Sequence, residues 1–227
     1  GPVGEVGGEV RVERCRLADC EALDLLHAVQ LEATGAQLSL AALLNAKAPP
    51  LAPGPVSWRW IHAFYVYPNS LLAVRLTGAQ VRDVLEHAAR YYDGLDCPPA
   101  GGCTVLTDPA IPHYNVDTMA GLSYRIDPTA PEGARVRDLR FAGRPVRPEA
   151  SFTVAVRAFT AAGKRGLTTL PSGSTSVSGA RQPPLSGACG ASVPSSTSCL
   201  ANHRCPVSKA SISGFTPMAV IIPPMAR

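Results

Sequence analysis

The hydrophobic positions of residues 1–163 form alternating strand-like and helix-like segments with turn residues between them. In chain order the pattern predicts a strand at 5–13, a helix from an N-cap at Asp19 to Gly35, a strand or helical turn at 38–44, a loop at 49–55, a strand at 71–76, a helix at 77–94, a strand at 122–127, a hairpin at 135–146 and a strand at 152–157. This mixture is typical of an α+β domain, in which a mixed sheet has flanking helices.

The helix predicted from residue 77 carries the most specific local signals. Thr77 and Gln80 have the spacing of a capping box, in which each side chain accepts from a backbone N–H of the first turn. The apolar stripe of this helix consists of Val81, Val84, Leu85, Ala88 and Tyr92. Gly94 is expected to end the helix, and Ala142-Gly143 is expected to form the turn of the later hairpin.

The composition changes near Gly163. Residues 167–227 are rich in Ser, Pro and Gly, and Phe215 is the only aromatic residue among them. Such a segment cannot bury enough apolar surface to offset its chain entropy. We therefore predict a folded domain at 1–166 and a low-complexity, disordered or irregular tail at 167–227.

Charge is distributed unevenly along the chain. All 17 acidic residues lie at or before Glu149, and no acidic residue follows it. The later basic residues are single or paired and are not interleaved with aromatic residues. Because a nucleic-acid footprint needs clustered positive charge, we do not expect nucleic-acid binding.

Several other functions are not indicated by the sequence. No run approaches the roughly 18 apolar residues of a membrane span, and the first residues show no targeting-peptide pattern. There is no P-loop, no G-x-S-x-G elbow and no H-E-x-x-H motif. We predict no catalytic residue and no metal ligand in this chain. We interpret His27 as a satisfied boundary residue and His87 as a surface or boundary residue.

The seven cysteines allow more than one interpretation. Cys97 and Cys103 would close a short disulfide loop if the protein is exported, and would be free thiols otherwise. Cys199, His203 and Cys205 do not have the spacing of a zinc module, so we interpret that trio as coincidental.

Three segments together resemble the C-terminal domain of the 5'-nucleotidase family. Residues 66–92 (VYPNSLLAVRLTGAQVRDVLEHAARYY) resemble its aromatic-x-Asn turn, strand, Leu-Thr-Gly and helix. Residues 113–128 (HYNVDTMAGLSYRIDP) and 136–163 (VRDLRFAGRPVRPEASFTVAVRAFTAAG) resemble its Asn-x-Asp segment and its Gly-x-Pro hairpin with the strand that follows. The Tyr-Pro-Asn and Tyr-Asn-x-Asp variants are similar to the branch of 2',3'-cyclic-nucleotide 2'-phosphodiesterases that are also 3'-nucleotidases.

The resemblance implies a nucleoside site. By position, Tyr67 and Phe159 are similar to two rings that hold the base between them, and Asn69 is similar to an asparagine that hydrogen-bonds the base edge. Stacking contributes on the order of 1–3 kcal/mol per base. The alternative is that both rings cap the hydrophobic core.

Other polar residues near these motifs have simpler interpretations. Asn115 and Asp117 are expected to satisfy backbone groups of a turn, although they would also suit a ribose-binding surface. Arg59 is interpreted as an exposed loop arginine.

The sequence also departs from the family pattern. The metal-dependent phosphoesterase domain that the resemblance implies, with its divalent metal pair, is absent from this chain. After residue 163 the family's Gly-rich loop and acidic residue are replaced by Lys164, Arg165 and an acid-free tail. Our hypothesis is that 164–227 is the product of a shifted reading frame.

The sequence therefore predicts the nucleoside- or nucleotide-binding domain of a metal-dependent phosphohydrolase of nucleotide catabolism. The missing catalytic domain would be its N-terminal partner, the isolated chain would be inactive, and family resemblance implies a periplasmic or extracellular location. The alternative is a secreted, non-catalytic binding module with a Ser/Pro-rich stalk.

Overall fold

The computed structural model describes residues 2–13, 15–67, 69–99 and 101–158, together with the backbone of 192–193 and 219–220. Its helices are α1 (Glu21–Thr34), α2 (Trp58–Phe64) and α3 (Gly78–Ala89), and a 3-10 turn spans His113–Asn115. Its strands are β1 (Gly4–Val6), β2 (Leu38–Ala42), β3 (Gly54–Val56), β4 (Leu71–Thr77), β5 (Tyr92–Asp96), β6 (Thr104–Thr107), β7 (Asp117–Ala120), β8 (Ser123–Ile126), β9 (Val136–Phe141), β10 (Arg144–Pro145), β11 (Ser151–Arg157), β12 (Ser192–Val193) and β13 (Ala219–Val220).

A four-stranded mixed sheet with the order β4-β11-β2-β7 organises the domain. Strand β11 is antiparallel to β4 and parallel to β2, and β2 is antiparallel to β7. Smaller sheets have the orders β12-β1-β3, β10-β9-β8-β13 and β5-β6. The predicted α+β class is confirmed. Apart from β12 and β13, the predicted tail 167–227 lies outside the described residues.

Helices α1 and α3 cover opposite faces of this sheet. Leu38 and Leu40 of β2 share one buried cluster with the apolar stripe of α3, whereas Ser39 between them bonds to His27 of α1. Because successive strand residues point to opposite faces, this alternation assigns one helix to each face. The face toward α3 is apolar, and the face toward α1 holds a buried polar network.

A second buried cluster joins β1, the start of α1, β3 and α2. The rings of Trp60 and Phe64 stack there with centroids 4.9 Å apart, and Trp60 Nε1 donates to the carbonyl oxygen of Pro49 over 2.9 Å. The buried indole thus satisfies its only polar atom while its ring fills the cluster. This packing anchors the N-terminal segment.

The predicted capping box at the start of α3 is confirmed, because the Thr77 hydroxyl accepts from the Gln80 N–H and the Gln80 side chain accepts from the Thr77 N–H. The predicted end of α3 is wrong. The helix ends at Ala89, and Tyr92 begins β5. Tyr92 is fully buried, and its hydroxyl donates to the Arg16 carbonyl over 2.6 Å. Pairing with β6 and this tertiary contact override the helical pattern.

The N-cap of α1 is Cys20 and not Asp19. Cys20 has an extended backbone, and its Sγ accepts from the Leu23 N–H over 3.4 Å. The cysteine is buried and bonded to Cys15, which holds it at the capping position. The predicted end is confirmed, since Gly35 adopts φ 64° and donates its N–H to the Leu31 carbonyl.

The N-terminal predictions also need correction. Strand β1 covers only Gly4–Val6, and Val10 forms an isolated bridge with Leu51 instead of extending it. Arg59 is exposed, as expected, but lies on helix α2 and not in a loop. Ser57 caps this helix by accepting from the Trp60 N–H. The short helix was missed because seven residues give a weak periodic signal.

The predicted hairpin at Ala142-Gly143 is confirmed between β9 and β10. Both residues have positive φ, 48° and 77°, as the tight turn of a two-residue hairpin requires. Strand β11 follows the predicted alternation, with Phe152, Val154 and Val156 buried in the cluster shared with α3.

Candidate functional site

Three chain segments meet at one edge of the central sheet. Strand β4 begins where β11 ends, because Leu71 pairs with Arg157. Strand β7 begins where β2 ends, because Asp117 pairs with Ala42. Since β2 and β11 run parallel, the turn before β4, the chain after β11 and the 3-10 turn before β7 share this edge. We call it the site edge.

Tyr67 lies in the turn that leads into β4. Its side chain is among the most exposed large rings of the described residues, at 59%. The ring therefore lies at the surface and not in the hydrophobic core. Its exposure is compatible with stacking on a ligand, and that role stays a prediction.

Asn69 stabilises the same turn. Its Nδ2 donates to the Tyr67 carbonyl oxygen over 3.3 Å, and the residue is half-buried. This local bond holds the amide beside the tyrosine backbone. The predicted contact of Asn69 with a base edge is not tested by this geometry.

The predicted second ring, Phe159, lies outside the described residues. Its neighbour Ala158 donates its N–H to the Ser70 carbonyl oxygen over 2.8 Å. This bond continues the pairing of β11 with β4 beyond Leu71. The backbone therefore brings the chain that leads to Phe159 next to the turn that carries Tyr67 and Asn69.

A buried ion pair lies at the site edge. Arg157 Nη2 donates to Asp117 Oδ1 over 3.1 Å, and the two side chains are only 4% and 11% exposed. Arg157 Nε is buried and has no hydrogen-bond partner among the described residues. Asp117 therefore has a structural role, but the contact observed is an ion pair between two strands, which differs from the turn backbone contacts expected from the sequence.

Asn115 behaves differently from its prediction. Its Oδ1 is buried and finds no partner in the described part of the chain, as is also true of His113 Nε2. The Asn115 side-chain oxygen therefore does not satisfy backbone donors of the turn. Burial and the charge of Arg16 lower the pKa of His113, which favours its neutral form. Neither His113 nor Arg157 stood out in the sequence pattern.

His27 is part of the buried network between α1 and the sheet. Its Nδ1 lies 2.9 Å from Ser39 Oγ, and its Nε2 lies 3.0 Å from Thr118 Oγ1. Gln30 Oε1 also contacts Ser39 Oγ, over 2.9 Å. Burial lowers the pKa of His27 to about 3. Both ring nitrogens are occupied by hydroxyl groups, so the predicted structural role of His27 is confirmed, although the residue is fully buried and not at a boundary.

The described residues contain no group of three or more His, Cys, Asp or Glu side chains that could hold a metal ion. They also contain no helix that is long and apolar enough to cross a membrane. The trio Cys199, His203 and Cys205 lies outside the described residues.

Two disulfides are formed in the described part of the chain. Cys97–Cys103 closes the loop between β5 and β6, which resolves the alternatives that the sequence left open. Cys15–Cys20 was not expected from the sequence. Both cysteines belong to the buried cluster that includes residues of α2. Cys20 is also the N-cap residue of α1.

Comparison with known proteins finds a matching family model and related sequences. The sequence model of the family "5'-nucleotidase, C-terminal domain" matches residues 2–172. The trifunctional nucleotide phosphoesterase protein YfkN of Bacillus subtilis is 29% identical over 131 residues, which are 52% of this chain and 9% of that protein. A 2',3'-cyclic-nucleotide 2'-phosphodiesterase/3'-nucleotidase of Salmonella typhimurium is 29% identical over 122 residues, 48% of this chain and 19% of that protein.

Solved structures show the same fold. A 5'-nucleotidase precursor from Thermus thermophilus superposes with a TM-score of 0.62 and 21% identity, covering 78% of this chain and 33% of that one. The NAD nucleotidase of Haemophilus influenzae superposes with a TM-score of 0.55 and 19% identity, covering 75% and 30%. The matched part spans less than a fifth of the two curated relatives. The family match covers most of the described residues, and the chain therefore belongs to the 5'-nucleotidase C-terminal domain family.

Proposed function

We propose that this chain positions the nucleoside part of the substrate in a nucleotide phosphohydrolase. The observation that carries the proposal is the pairing of β11 with β4 at the site edge, which continues to the Ala158–Ser70 bond. It brings Ala158, the residue before Phe159, next to Ser70, which follows Tyr67 and Asn69 in the turn. Two rings on adjoining segments are suited to hold a base between them.

The contribution of this domain is orientation. Holding the nucleoside in a fixed place makes attack on its phosphoester effectively intramolecular. The bond of Asn69 to the Tyr67 carbonyl supports this proposal, because it holds the amide beside the tyrosine that would stack on the base. A hydrogen bond from Asn69 to the edge of the base would then discriminate among bases that stack equally well.

We assign bond cleavage to a separate domain. The described residues do not provide a set of ligands for a metal pair, so they do not fit such a metal pair and no step of the reaction is placed on them. We propose that the metal pair belongs to an N-terminal metallophosphoesterase partner and that the hydrolase acts in nucleotide catabolism.

An exported location is proposed for the same protein. Disulfides persist in oxidising compartments such as the periplasm or the extracellular space. Two of them are formed here, Cys15–Cys20 and Cys97–Cys103. The alternative of a non-catalytic module with a Ser/Pro-rich stalk is less favoured, because the family model matches residues 2–172.

Calorimetric titration of the full chain with adenosine and AMP tests the nucleoside site. Tyr67→Ala and Phe159→Ala should each weaken binding at this site by about 1–3 kcal/mol, because each removes one stacked face. Asn69→Ala should reduce discrimination among bases more than affinity. Trp58→Ala is the matched control, since Trp58 is an equally exposed ring, at 55%, on α2.

Equal binding by the wild type and both ring variants would contradict the nucleoside site. A preparation without the missing domain should not hydrolyse nucleotides or cyclic nucleotides with added manganese or zinc. Turnover that depends on the added metal would contradict the assignment of cleavage to another domain.

A further inference from the structure

The two disulfides of the described residues differ in their exposure to solvent. Cys15 and Cys20 are only 2% and 5% exposed and belong to the buried cluster that includes residues of α2. Cys97 is exposed, and Cys103 is half-buried. Because a thiol must reach a disulfide sulfur in order to exchange with it, the Cys97–Cys103 bond is accessible to exchange in the folded domain, whereas the Cys15–Cys20 bond is not.

The Cys97–Cys103 bond closes the tip of a two-stranded ribbon formed by β5 and β6. Asp96, the last residue of β5, pairs with Thr104, the first residue of β6, and the two cysteines lie directly beyond this pair. The loop between the cysteines has the sequence Pro-Pro-Ala-Gly-Gly, and its described residues form no helix or strand. Breaking the bond therefore opens the tip of the ribbon and leaves the strand pairs in place.

The base of the ribbon is held independently of the disulfide. Tyr92, the first residue of β5, is fully buried, and its carbonyl oxygen accepts from Arg135 Nη1 over 2.7 Å. Beyond the end of β6, the Asp108 N–H donates to the Tyr91 carbonyl oxygen over 2.8 Å. These contacts do not involve the tip. Exchange at the tip is thus compatible with an intact fold.

The sequence of the ribbon carries negative charge and no positive charge. Residues 91–108 include Asp93, Asp96 and Asp108 but no Lys, Arg or His. Asp96 is exposed and directly precedes Cys97. Exchange brings a negatively charged thiolate to the disulfide, so these carboxylates oppose a reagent that carries further negative charge. A positive charge elsewhere on the reagent is attracted to them, and the ribbon therefore favours a cationic thiol.

We propose that the Cys97–Cys103 disulfide is a reversible modification site for small thiols that carry a positive charge. The thiolate of the reagent attacks Cys97 Sγ, and the bond between Cys97 and Cys103 breaks as the mixed disulfide with Cys97 forms. Cys103 leaves as a thiolate and takes up from water the proton that the reagent released, so the exchange needs no oxidant. Attack by Cys103 on the mixed disulfide releases the reagent and closes the tip again. The proposal does not depend on the nucleoside site at Tyr67.

Three small thiols of similar size and different charge test the site. Cysteamine is cationic, 2-mercaptoethanol is neutral and 2-mercaptoethanesulfonate is anionic. The full chain is used with Cys189→Ser, Cys199→Ser and Cys205→Ser, so that only the cysteines of the two disulfides remain. Acid-quenched samples are mapped by peptide mass spectrometry. Because the thiols differ in pKa and nucleophilicity, each rate is divided by the rate of the same thiol with the neutral disulfide of 2-mercaptoethanol.

We expect the mixed disulfide on Cys97, with the Cys15–Cys20 bond intact and the far-ultraviolet circular dichroism spectrum unchanged. At low salt the normalised rate should fall about threefold from cysteamine to 2-mercaptoethanol and by a similar factor to the sulfonate, as expected for two charges a few ångströms apart in water. Added salt should reduce both factors. Asp96→Asn should bring the three rates closer together, whereas Asp83→Asn, at an exposed position on α3, should not.

Four outcomes would overturn the proposal. The first two are the absence of a mixed disulfide on Cys97 and equal normalised rates for the three thiols. The third is reaction of the Cys15–Cys20 bond at the rate of the Cys97–Cys103 bond, which would show that exposure does not select the site. The fourth is unfolding of the domain on formation of the mixed disulfide, because the base of the ribbon would then depend on the closed tip.

Discussion

Arg157, the last residue of β11, donates a hydrogen bond of 3.1 Å to Asp117, the first residue of β7. Strand β2 lies between these two strands, so the ion pair spans three strands at the site edge. It connects the strand that leads to Phe159 with the segment that contains Asn115. Removing one partner would leave the other charge buried without compensation.

Asp117→Asn should therefore lower the free energy of unfolding by about 3–5 kcal/mol, the usual cost of breaking a buried ion pair. Urea denaturation measures this change. Asp138→Asn is the matched control, because Asp138 forms a 3.5 Å ion pair with Arg125 in which both side chains are more than half exposed. That exposed pair should contribute about 0–1 kcal/mol. Equal effects of the two variants would show that the buried Arg157–Asp117 pair contributes no more to the free energy of unfolding than the exposed pair does.

Acid should destabilise the fold through His27. Burial lowers the pKa of His27 to about 3 in the folded chain, whereas an unfolded histidine titrates near 6.5. Between these values the unfolded chain binds the proton and the folded chain does not. Stability is thus fully present above about pH 6.5 and falls as the pH decreases toward 3, with a slope approaching about 1.4 kcal/mol per pH unit.

Urea denaturation at a series of pH values measures this slope. The control is His27→Gln, which keeps hydrogen-bonding atoms near Ser39 and Thr118 but does not titrate. The wild type should lose more stability than the variant between pH 6 and 4. Parallel pH profiles would contradict the role of His27.

Asp24 should have the opposite pH dependence. Burial and the neighbouring carboxylate of Asp19 raise the pKa of Asp24 to about 7. The folded chain then binds a proton that the unfolded chain releases near pH 4, so stability falls as the pH rises from about 4 through about 7 and then levels off. Asp24→Asn mimics the protonated form and should raise the melting temperature at pH 8 but not at pH 4.

An exposed carboxylate provides the comparison for Asp24. Asp83 lies on the exposed side of α3, and Asp83→Asn should change the melting temperature little at either pH. If Asp24→Asn behaves like Asp83→Asn at pH 8, burial and the Asp19 carboxylate do not raise the pKa of Asp24 as expected.

Gly78 should not tolerate a larger side chain, although it is the first residue of α3. A Cβ at this position would lie 2.8 Å from Val146 Cγ1 and closer still to the carbonyl oxygen of Arg147. Gly78→Ala should destabilise the domain by about 1–3 kcal/mol through this overlap, despite the better helix propensity of alanine.

Gly102→Ala is the control for this substitution, because no atom lies within 4 Å of the place that its new methyl group would occupy. Thermal unfolding of the two variants compares them directly. A Gly78→Ala variant as stable as the wild type would show that the segment at 146–147 moves away from the helix at little cost.

The sequence alone predicted the structural features whose signals lie within a few neighbouring residues. The Thr77–Gln80 capping box, the Gly35 end of α1 and the Ala142-Gly143 turn depend on neighbouring backbone groups. Tyr67 and Asn69 could be selected as site candidates because their motif is contiguous. The family itself could be inferred for the same reason, since its motifs are short segments in a fixed order.

The tertiary structure decided the features that depend on residues far apart in the chain. Tyr92 continues the helical pattern of α3, yet it begins β5 because its hydroxyl reaches Arg16. Only the strand order β4-β11-β2-β7 brings Arg157 to Asp117. Burial and long-range pairing determine these contacts, and neither is visible in the local pattern of hydrophobic and polar positions.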